Sequence, residues 1–427
     1  MAAQTPADRG LLDRIAERIG TPYFLYDEAV LRDRIDRVLE LTSGEGLQAR
    51  YAMKALSIRP VLEAMRDAGV WIDAVSGNEV LRAKHSGFAM GAEPPAVMLT
   101  ADVFRDNALD VLREEGVLPN IGSPGQLREL AAAGYAGPAG IRVNPGFGHG
   151  HVQACDTGGP SSKHGVWIDD VDELADAARG ASIPVTLLHA HVGSGPQIEE
   201  LEDNLDRLAG FFAEMVARFP SLDAVNLGGG FPHDYRNAGS VADLSRLGEI
   251  LREARSRFCE VASRPVRVEV EPGRFFAAPC GTLVSRVTDR KFTRDNDKGA
   301  GYGFVMVDAG FVDLVRPAMY GSFHRISVVG EKLGEPAPWA VAGPLCESGD
   351  LFTRDADELI ETRELPTPEP GDFLLLHDAG AYGAVMSSNY NSLGRAPQVW
   401  LSGGQATLVE RRETLDEMLA RECSEAL

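Results

Sequence analysis

Between about residues 45 and 275, short apolar runs alternate with amphipathic stretches. The strand candidates are LQARYAMKA (47–55), WIDAVS (71–76), AVMLTA (96–101), LPNIGS (118–123), AGIRVNP (139–145), TLLHAHVGS (186–194), AVNLGGG (224–230) and VRVEVEPG (266–273). A helix-like segment follows each, such as RPVLEAMRDAG, GNEVLRAKHSG or PGQLRELAAAG, and several of these end in glycine, a common helix stop. Eight strand-then-helix units in succession predict an α/β chain with a (β/α)8 barrel. A doubly wound open sheet is the alternative, but no GxGxxG turn follows the first strand.

Beyond residue 275 the texture changes. GTLVSRVTDRKF, GFVMVDAG, APWAVAG, DFLLLHDAG and QVWLSGGQATLVERRE read as strands broken by glycine and proline turns, with little helix between them. A second, mostly β domain is expected there. TPYFLYD (21–27) also reads as a strand outside the barrel, and LDEMLARECSEAL as a terminal helix. The expected division is a barrel over 30–274, with 1–29 and 275–427 making the β-rich domain.

A chain of 427 residues fits two domains, since one hydrophobic core seldom organises so many. Its net charge of −21 repels phosphate backbones and anionic lipid, so neither nucleic acid nor membrane is an expected partner. Cys155, Cys259, Cys280, Cys346 and Cys423 are few, scattered and odd in number, which argues against a disulfide framework. The segment MAAQTPADRGLLDRIAERIG lacks the apolar centre of a signal peptide, and no apolar run is long enough to span a bilayer. The cytoplasm is the expected compartment.

Polar residues gather where the barrel strands end: Lys54, Asp73, Ser76, Asn144, His191, Ser194, Gly228–Gly230, Glu271 and Arg274. Barrel enzymes build their sites on that rim. Lys54, in the apolar string YAMKAL, reads either as a lysine snorkelling to the surface or as one whose amine forms a Schiff base. Gly228, Gly229 and Gly230 follow the seventh strand, where bare backbone amides suit a phosphate. Glu271 closes the eighth strand and suits a cofactor's protonated ring nitrogen, while Arg274 suits a substrate carboxylate; a salt bridge between the two is the plainer reading.

Of His189 and His191 in HAHVGSG, only one is expected to face the site, and His191 is the candidate to cover a flat ring. His149 and His151, with His164 nearby, raise a metal question, but no carboxylate or cysteine spacing completes a ligand set, so no metal is expected. In the β domain, Arg316 and Tyr320 fall together, Cys346, Glu347 and Asp350 fall together, and GAYGAVMSSNYNS carries Tyr382 and Asn389. A cysteine beside acids is usually structural; here Cys346 is also a candidate proton donor.

Taken in order, YAMKA, IDAVSGNE, HVGSG, NLGGGF, EPGRF, VDAGFVDLVRPAMYG, GPLCESGD and GAYGAVMSSNYN resemble the motifs of the pyridoxal 5′-phosphate (PLP)-dependent decarboxylases of alanine-racemase-like fold, and the diaminopimelate decarboxylases among them most closely. RVNPGFGHGHVQACDTGGPSSKHG resembles a subgroup within that family, and the likeness runs from about residue 20 almost to the end. The resemblance implies decarboxylation of meso-2,6-diaminopimelate to L-lysine and CO2, the last step of lysine biosynthesis. It implies that Lys54 holds PLP, that His191 stacks on its ring and that Glu271 meets the ring nitrogen. Ser194, Gly228, Gly229, Gly230, Gly273, Arg274 and Tyr382 would surround the phosphate. Arg274, Arg316, Tyr320, Glu347 and Tyr382 would hold the amino-acid substrate, and Cys346 would return a proton. Cys346, Glu347 and Tyr382 would come from a neighbouring subunit, which implies a homodimer whose β-rich domains complete shared sites.

Three positions depart from that pattern: Leu56 after YAMKA, Asn78 in SGNE and Val312 before the DLVRPA segment. They leave room for another diamino acid, such as D-lysine or D-ornithine, although Arg274, Arg316 and Glu347 suit a substrate with an amine and a carboxylate at its far end. A protein that kept the fold and lost the reaction is the remaining alternative, and it is expected to have lost Lys54, Cys346 or Glu271. The 146–165 loop is a candidate lid.

Overall fold

The computed structural model describes residues 8–148, 157–194, 197–297, 299–355 and 357–425. The fold has two units: residues 34–233 with 241–276, and the remaining segments up to 33, 234–240 and from 277 onward.

The chain opens with α1 (Arg9–Ile19), β1 (Tyr23–Asp27) and α2 (Glu28–Leu41) and then enters the barrel. Its strands are β2 (Leu47–Ala52), β3 (Trp71–Ala74), β4 (Val97–Thr100), β5 (Leu118–Ile121), β6 (Ala139–Asn144), β8 (Val185–His189), β9 (Ala224–Asn226) and β10 (Arg267–Val270), with a two-residue β7 (Val166–Trp167) beside β6. All pair in parallel, and β10 returns to β2 through Val268 and Leu47, so the sheet closes. The expected (β/α)8 barrel is the observed one.

Local chemistry sets where the crossover helices begin. In α4 (Gly77–His85), the Ser76 hydroxyl accepts from the Glu79 amide at 3.1 Å while the Glu79 carboxylate accepts from the Val75 amide at 2.7 Å. In α6 (Pro124–Ala132), Ser123 accepts from the Gln126 amide at 3.2 Å and Gln126 accepts from the Gly122 amide at 2.8 Å. A serine with Glu or Gln three residues on satisfies first-turn amides that would otherwise lack acceptors, and losing such a cap costs roughly 1 kcal/mol. Ser76 is therefore a helix cap.

The barrel interior is layered. Met98, Leu118, Leu187 and Ala224 meet in one buried cluster although they come from β4, β5, β8 and β9, which are not all neighbours. Strand side chains two apart share a face. The residues two positions further along those strands are Thr100, Asn120, His189 and Asn226, all buried. An apolar plug thus lies beneath a polar layer at the strands' C-terminal ends.

The other unit is a nine-stranded sheet. β1 pairs antiparallel with β11 (Gly281–Phe292) and parallel with β17 (Gln398–Ser402), which pairs with β18 (Gln405–Glu410). From β11 the sheet continues through β12 (Gly303–Val307), β14 (Gly334–Ala342) and β15 (Arg363–Thr367); β16 (Phe373–Leu376) and β13 (Ile326–Val329) branch from it. Leu12 and Ile15 of α1 pack on Tyr23, Leu25, Val284, Phe373, Leu375 and Val399. The terminal helix is shorter than its pattern suggests, covering Leu415–Leu419, with Thr414 as its cap.

Candidate active site

The polar layer is one hydrogen-bonded network. Asn120 Nδ2 donates to Thr100 Oγ1 at 3.2 Å and lies 2.8 Å from His189 Nδ1. His189 Nε2 lies 3.2 Å from Glu271 Oε2. Asn226 Nδ2 donates to Glu271 Oε1 at 2.6 Å, and Asn226 Oδ1 accepts from the Gly228 amide at 2.8 Å. Glu271 follows β10 and is 6% exposed, and Asp73 on β3 is 3% exposed.

Two buried carboxyls share this space and titrate in opposite directions. Burial favours the neutral form of Glu271, but its interactions with His189, and then with His191 and Arg50, outweigh it and hold the group below its usual range. Burial, and then the charge on Glu271, push Asp73 well above its ordinary value, against the pull of Lys54, Thr100 and Arg142. One carboxyl is held toward its ionised form and the other is pushed toward its protonated form. Burial also pushes His191 well below the usual imidazole value, with the Lys54 and Arg142 charges acting in the same sense, so its ring is neutral.

Lys54 is not in a strand: β2 ends at Ala52, and Lys54 sits exposed on a helical turn of residues 53–55. β2 last pairs at Ala52 with Asp73, and the chain then leaves the barrel wall. The expectation of a cation inside an apolar strand is thereby corrected. The expectation that only one histidine faces the site is also corrected. His189 is the last residue of β8 and His191 lies beyond it, so strand alternation does not set them apart: His189 Nε2 lies 3.2 Å from Glu271 Oε2, and His191 Nδ1 accepts from the Gly229 amide.

The Gly228 amide donates to Asn226, and the Gly229 amide donates to His191 Nδ1 at 3.1 Å. Two of the three glycine amides therefore organise the mouth itself. Glycine is required here: Gly228 has φ +76, and a Cβ on it would come within 2.5 Å of the Ala190 carbonyl. Ser194 Oγ lies 3.5 Å from His191 Nε2. Gly273 brings the turn after β10 against Ala52, where an added Cβ would meet the Ala52 Cβ at 3.1 Å, and Arg274 opens α10 (Arg274–Ala277). Asn144, at the end of β6, accepts from the Gly146 and Gly159 amides at 3.1 and 2.9 Å and so shapes the loop that follows. The described part of that loop is tied by Thr157 Oγ1 to the His191 carbonyl at 2.9 Å. His149, His151 and the rest of 149–156 in the candidate lid lie outside the described residues, while His164 pairs with Asp102 at 2.8 Å.

The remaining candidates belong to the β-rich unit. Arg316 opens α11 (Arg316–Tyr320) and is buried, its Nη1 3.1 Å from His324 Nε2 and its guanidinium 4.9 Å from the Tyr235 ring centroid. Tyr320 closes the same helix. Cys346 and Glu347 are exposed on one loop, which Asp350 braces by accepting from the Leu345 and Phe311 amides at 2.8 and 2.7 Å. Tyr382 has φ +58, a left-handed conformation that is costly for a tyrosine. Of the three departures, Leu56 and Val312 are buried in packing, and Asn78 accepts from Asn107 at 3.1 Å.

These residues fit a phosphorylated pyridine aldehyde. The mouth holds an exposed amine, an ionised carboxylate, a neutral imidazole and a glycine turn beside an arginine. Asp73 Oδ1 is buried there without a hydrogen-bond partner, and a buried orphan of this kind marks a polar ligand's place. Asn120, Arg142 and Asn226 were missed by the reading of strand ends, and His189 was set aside in favour of His191. Their signal is the period of two: each follows by two positions a residue facing the barrel interior.

Comparison with known proteins points the same way. Residues 31–278 match the family model of the pyridoxal-dependent decarboxylase, pyridoxal binding domain. The chain is 39% identical over 416 residues to the diaminopimelate decarboxylase of Escherichia coli K12, covering 96% of this chain and 95% of that one. It is 38% identical over 430 residues to that of Streptomyces coelicolor, covering 99% and 94%. A crystal structure of diaminopimelate decarboxylase superposes with a TM-score of 0.88 at 37% identity, covering 98% of this chain and 99% of that one. The M. jannaschii enzyme in co-complex with L-lysine superposes at 0.83 with 25% identity, covering 96% and 94%. Likeness of this extent, over both units and at a mouth built for pyridoxal, means that the chain belongs to the pyridoxal-dependent decarboxylases, in the diaminopimelate decarboxylase family.

Proposed function

We propose that this protein decarboxylates meso-2,6-diaminopimelate to L-lysine and CO2 with PLP, as a cytoplasmic homodimer. The observation that carries the reading is the barrel mouth, where an ionised Glu271, a neutral His191 and the exposed Lys54 gather in a chain of this family. The co-complex of the M. jannaschii relative with L-lysine supports lysine as the product.

Lys54 supplies the amine that takes the cofactor's aldehyde. Ser194, Gly228, Gly229, Gly230, Gly273, Arg274 and Tyr382 take its phosphate, His191 covers its ring, and Glu271 holds the ring nitrogen's proton. When bound, PLP supplies an electron sink for the pair left behind as CO2 departs. A neutral His191 places no second cation over the ring. At the substrate's far end, Arg274 and Arg316 grip the carboxylate, Glu347 meets the ammonium, and Tyr320 lines the same pocket. Cys346 Sγ delivers the proton to Cα. Cys346, Glu347 and Tyr382 act in the partner's site, where the exposure of Cys346 and Glu347 on a braced loop suits them to reach a second chain. Residues 30–274 act as the cofactor domain, and 1–29 with 275–427 complete the site.

The test is to offer the PLP-loaded protein meso-diaminopimelate, its LL isomer, D-lysine, D-ornithine and L-ornithine, following CO2 and amine products. L-lysine from the meso isomer alone is expected. Turnover of D-lysine or D-ornithine in its place overturns the substrate, and loss of no activity in Lys54→Ala overturns the chemistry.

A further inference from the structure

The mouth contains a second histidine that the proposed reaction does not use. His189 is 1% exposed and ends β8. Its two ring nitrogens nevertheless meet different partners. Nδ1 lies 2.8 Å from Asn120 Nδ2, and Nε2 lies against Glu271 Oε2 at 3.2 Å, somewhat off the line of an ideal hydrogen bond.

The direction of the chain follows from its donors. An amide nitrogen donates, so the Asn120 contact makes Nδ1 the acceptor and leaves the proton on Nε2, toward Glu271. The reversed amide would put the proton on Nδ1 and turn a bare Nε2 lone pair toward a carboxylate, or else make the ring a cation. Burial opposes the cation, and with Arg142 and Lys54 it outweighs the pull of Glu271 toward it. The Thr100 hydroxyl, hydrogen-bonded to Asp73, accepts the other Asn120 proton. One consistent set of donors therefore runs from β5 across the barrel to the group after β10.

We propose that His189 is a positioning residue: locked by Asn120 as the Nε2–H form, it joins Asn226 in holding Glu271 ionised and oriented, and so sets how firmly Glu271 retains the proton on the cofactor's ring nitrogen. The proposal rests on the assignment of Glu271 to that nitrogen. Glu271 accepts from Asn226 on Oε1 and faces His189 on Oε2, so each oxygen has its own neutral donor and neither donor brings a competing charge. The charged groups around the pair are Lys54 after β2, Arg50 on β2 beside Glu269 on β10, Asp102 after β4 and Arg142 on β6; Asp73 on β3 is pushed toward its protonated form and His191 beyond β8 is neutral. None of these offers a hydrogen-bond donor to Oε2 in place of His189 among the described residues.

The test uses holoenzyme loaded with PLP carrying 15N in the ring, whose chemical shift separates a protonated from a bare nitrogen. The shift is followed against pH in wild type, His189→Leu, His189→Gln and Glu271→Gln, with kcat and KM measured alongside. In His189→Leu the midpoint for losing the ring proton falls by about one to two pH units, roughly tenfold to a hundredfold weaker proton retention, the range expected for losing one hydrogen bond to a charged group. kcat falls while KM changes little. His189→Gln, which keeps an N–H donor, recovers part of the midpoint. An unchanged midpoint in His189→Leu alongside a bare ring in Glu271→Gln overturns the role of His189 and leaves that of Glu271 standing. A protonated ring in Glu271→Gln overturns the assignment of Glu271 itself. Where His189→Leu does not fold, Asn120→Ala carries the same test, because it frees Nδ1 to take the proton; an unchanged midpoint there counts against the proposal equally.

Discussion

Replacing Arg50 by methionine should be among the most destabilising single changes in the barrel. Arg50 on β2 and Glu269 on β10 are both fully buried at the seam where the sheet closes. The pair is bidentate, with Arg50 Nε 2.6 Å from Glu269 Oε2 and Nη2 3.2 Å from Oε1. Arg50 also donates to the Ile72 and Pro95 carbonyls at 3.2 and 3.0 Å, and its guanidinium lies 4.8 Å from the Trp71 ring centroid. Methionine fills much of the volume but leaves Glu269 with only Arg267, at 2.8 Å, as a charged partner. Removing one member of a buried pair costs about 3–5 kcal/mol, because the survivor keeps its desolvation penalty, and the lost contact with Trp71 adds roughly 1 kcal/mol. For a unit of this size that lowers Tm by about 10 °C. The double variant Arg50→Met with Glu269→Met removes the stranded charge and should recover all but about 1–2 kcal/mol. Urea unfolding followed by circular dichroism, on both variants and on each single change, reads the cycle. A loss under about 1 kcal/mol in Arg50→Met, or a double variant no better than the single, would refute the reasoning.

Gly228→Ala should abolish PLP binding and destabilise the barrel by several kcal/mol, since its Cβ meets both the Ala190 carbonyl and His191 Cα in a left-handed backbone. Gly134→Ala, with φ +73 and open space around its Cβ, is the control and should cost only about 1 kcal/mol; equal losses would refute the steric argument. His377→Gln should flatten the acid limb of stability. Burial, aided by the Arg325 charge, lowers His377 from 6.5 to about 4, so the folded state binds its proton less tightly than the unfolded chain does. Its contribution is therefore complete above pH 6.5 and lost as pH falls toward 4, amounting to about 2 kcal/mol at pH 5. Unfolding midpoints at about pH 7.5 and 5 measure it, and equal slopes in wild type and variant count against it.

Much of the barrel was legible because its strands are apolar runs punctuated by helix stops, and each crossover helix begins with its own signal. The ends of the strands were less legible. YAMKA and HAHVGSG read as continuous strand because apolar composition does not reveal where pairing stops; Ala52 and His189 are the last residues with partners, and Lys54 and His191 lie past them. β13, β15 and the two-residue β7 were not seen at all, since ISVV is short, RELPT carries charge and proline, and VW is too brief for any period to show. At the site, Lys54, His191, Glu271 and the glycines stood out from motifs. Asn120, Arg142 and Asn226 did not, because each is a single polar residue inside an apolar string and gains meaning only when eight strands bring their interior faces together; His189 was noticed but set aside for His191.

That closure also explains why two similar carboxyls, Asp73 and Glu271, are pushed in opposite directions. Each is buried, and burial alone favours the neutral form of both. Glu271 stands over β8, β9 and β2, whose interior positions supply His189, Asn226 and, through Glu269, Arg50. Asp73 stands on β3 beside Thr100, with one oxygen unpartnered and with Glu271 already charged nearby. The first carboxyl to find donors suppresses ionisation of the second, so the asymmetry comes from the order of side chains around the barrel and not from any difference between aspartate and glutamate. The two carboxyls stand about a quarter-turn of the barrel apart, on β3 and after β10, and the alternation of strand faces is what keeps their surroundings distinct.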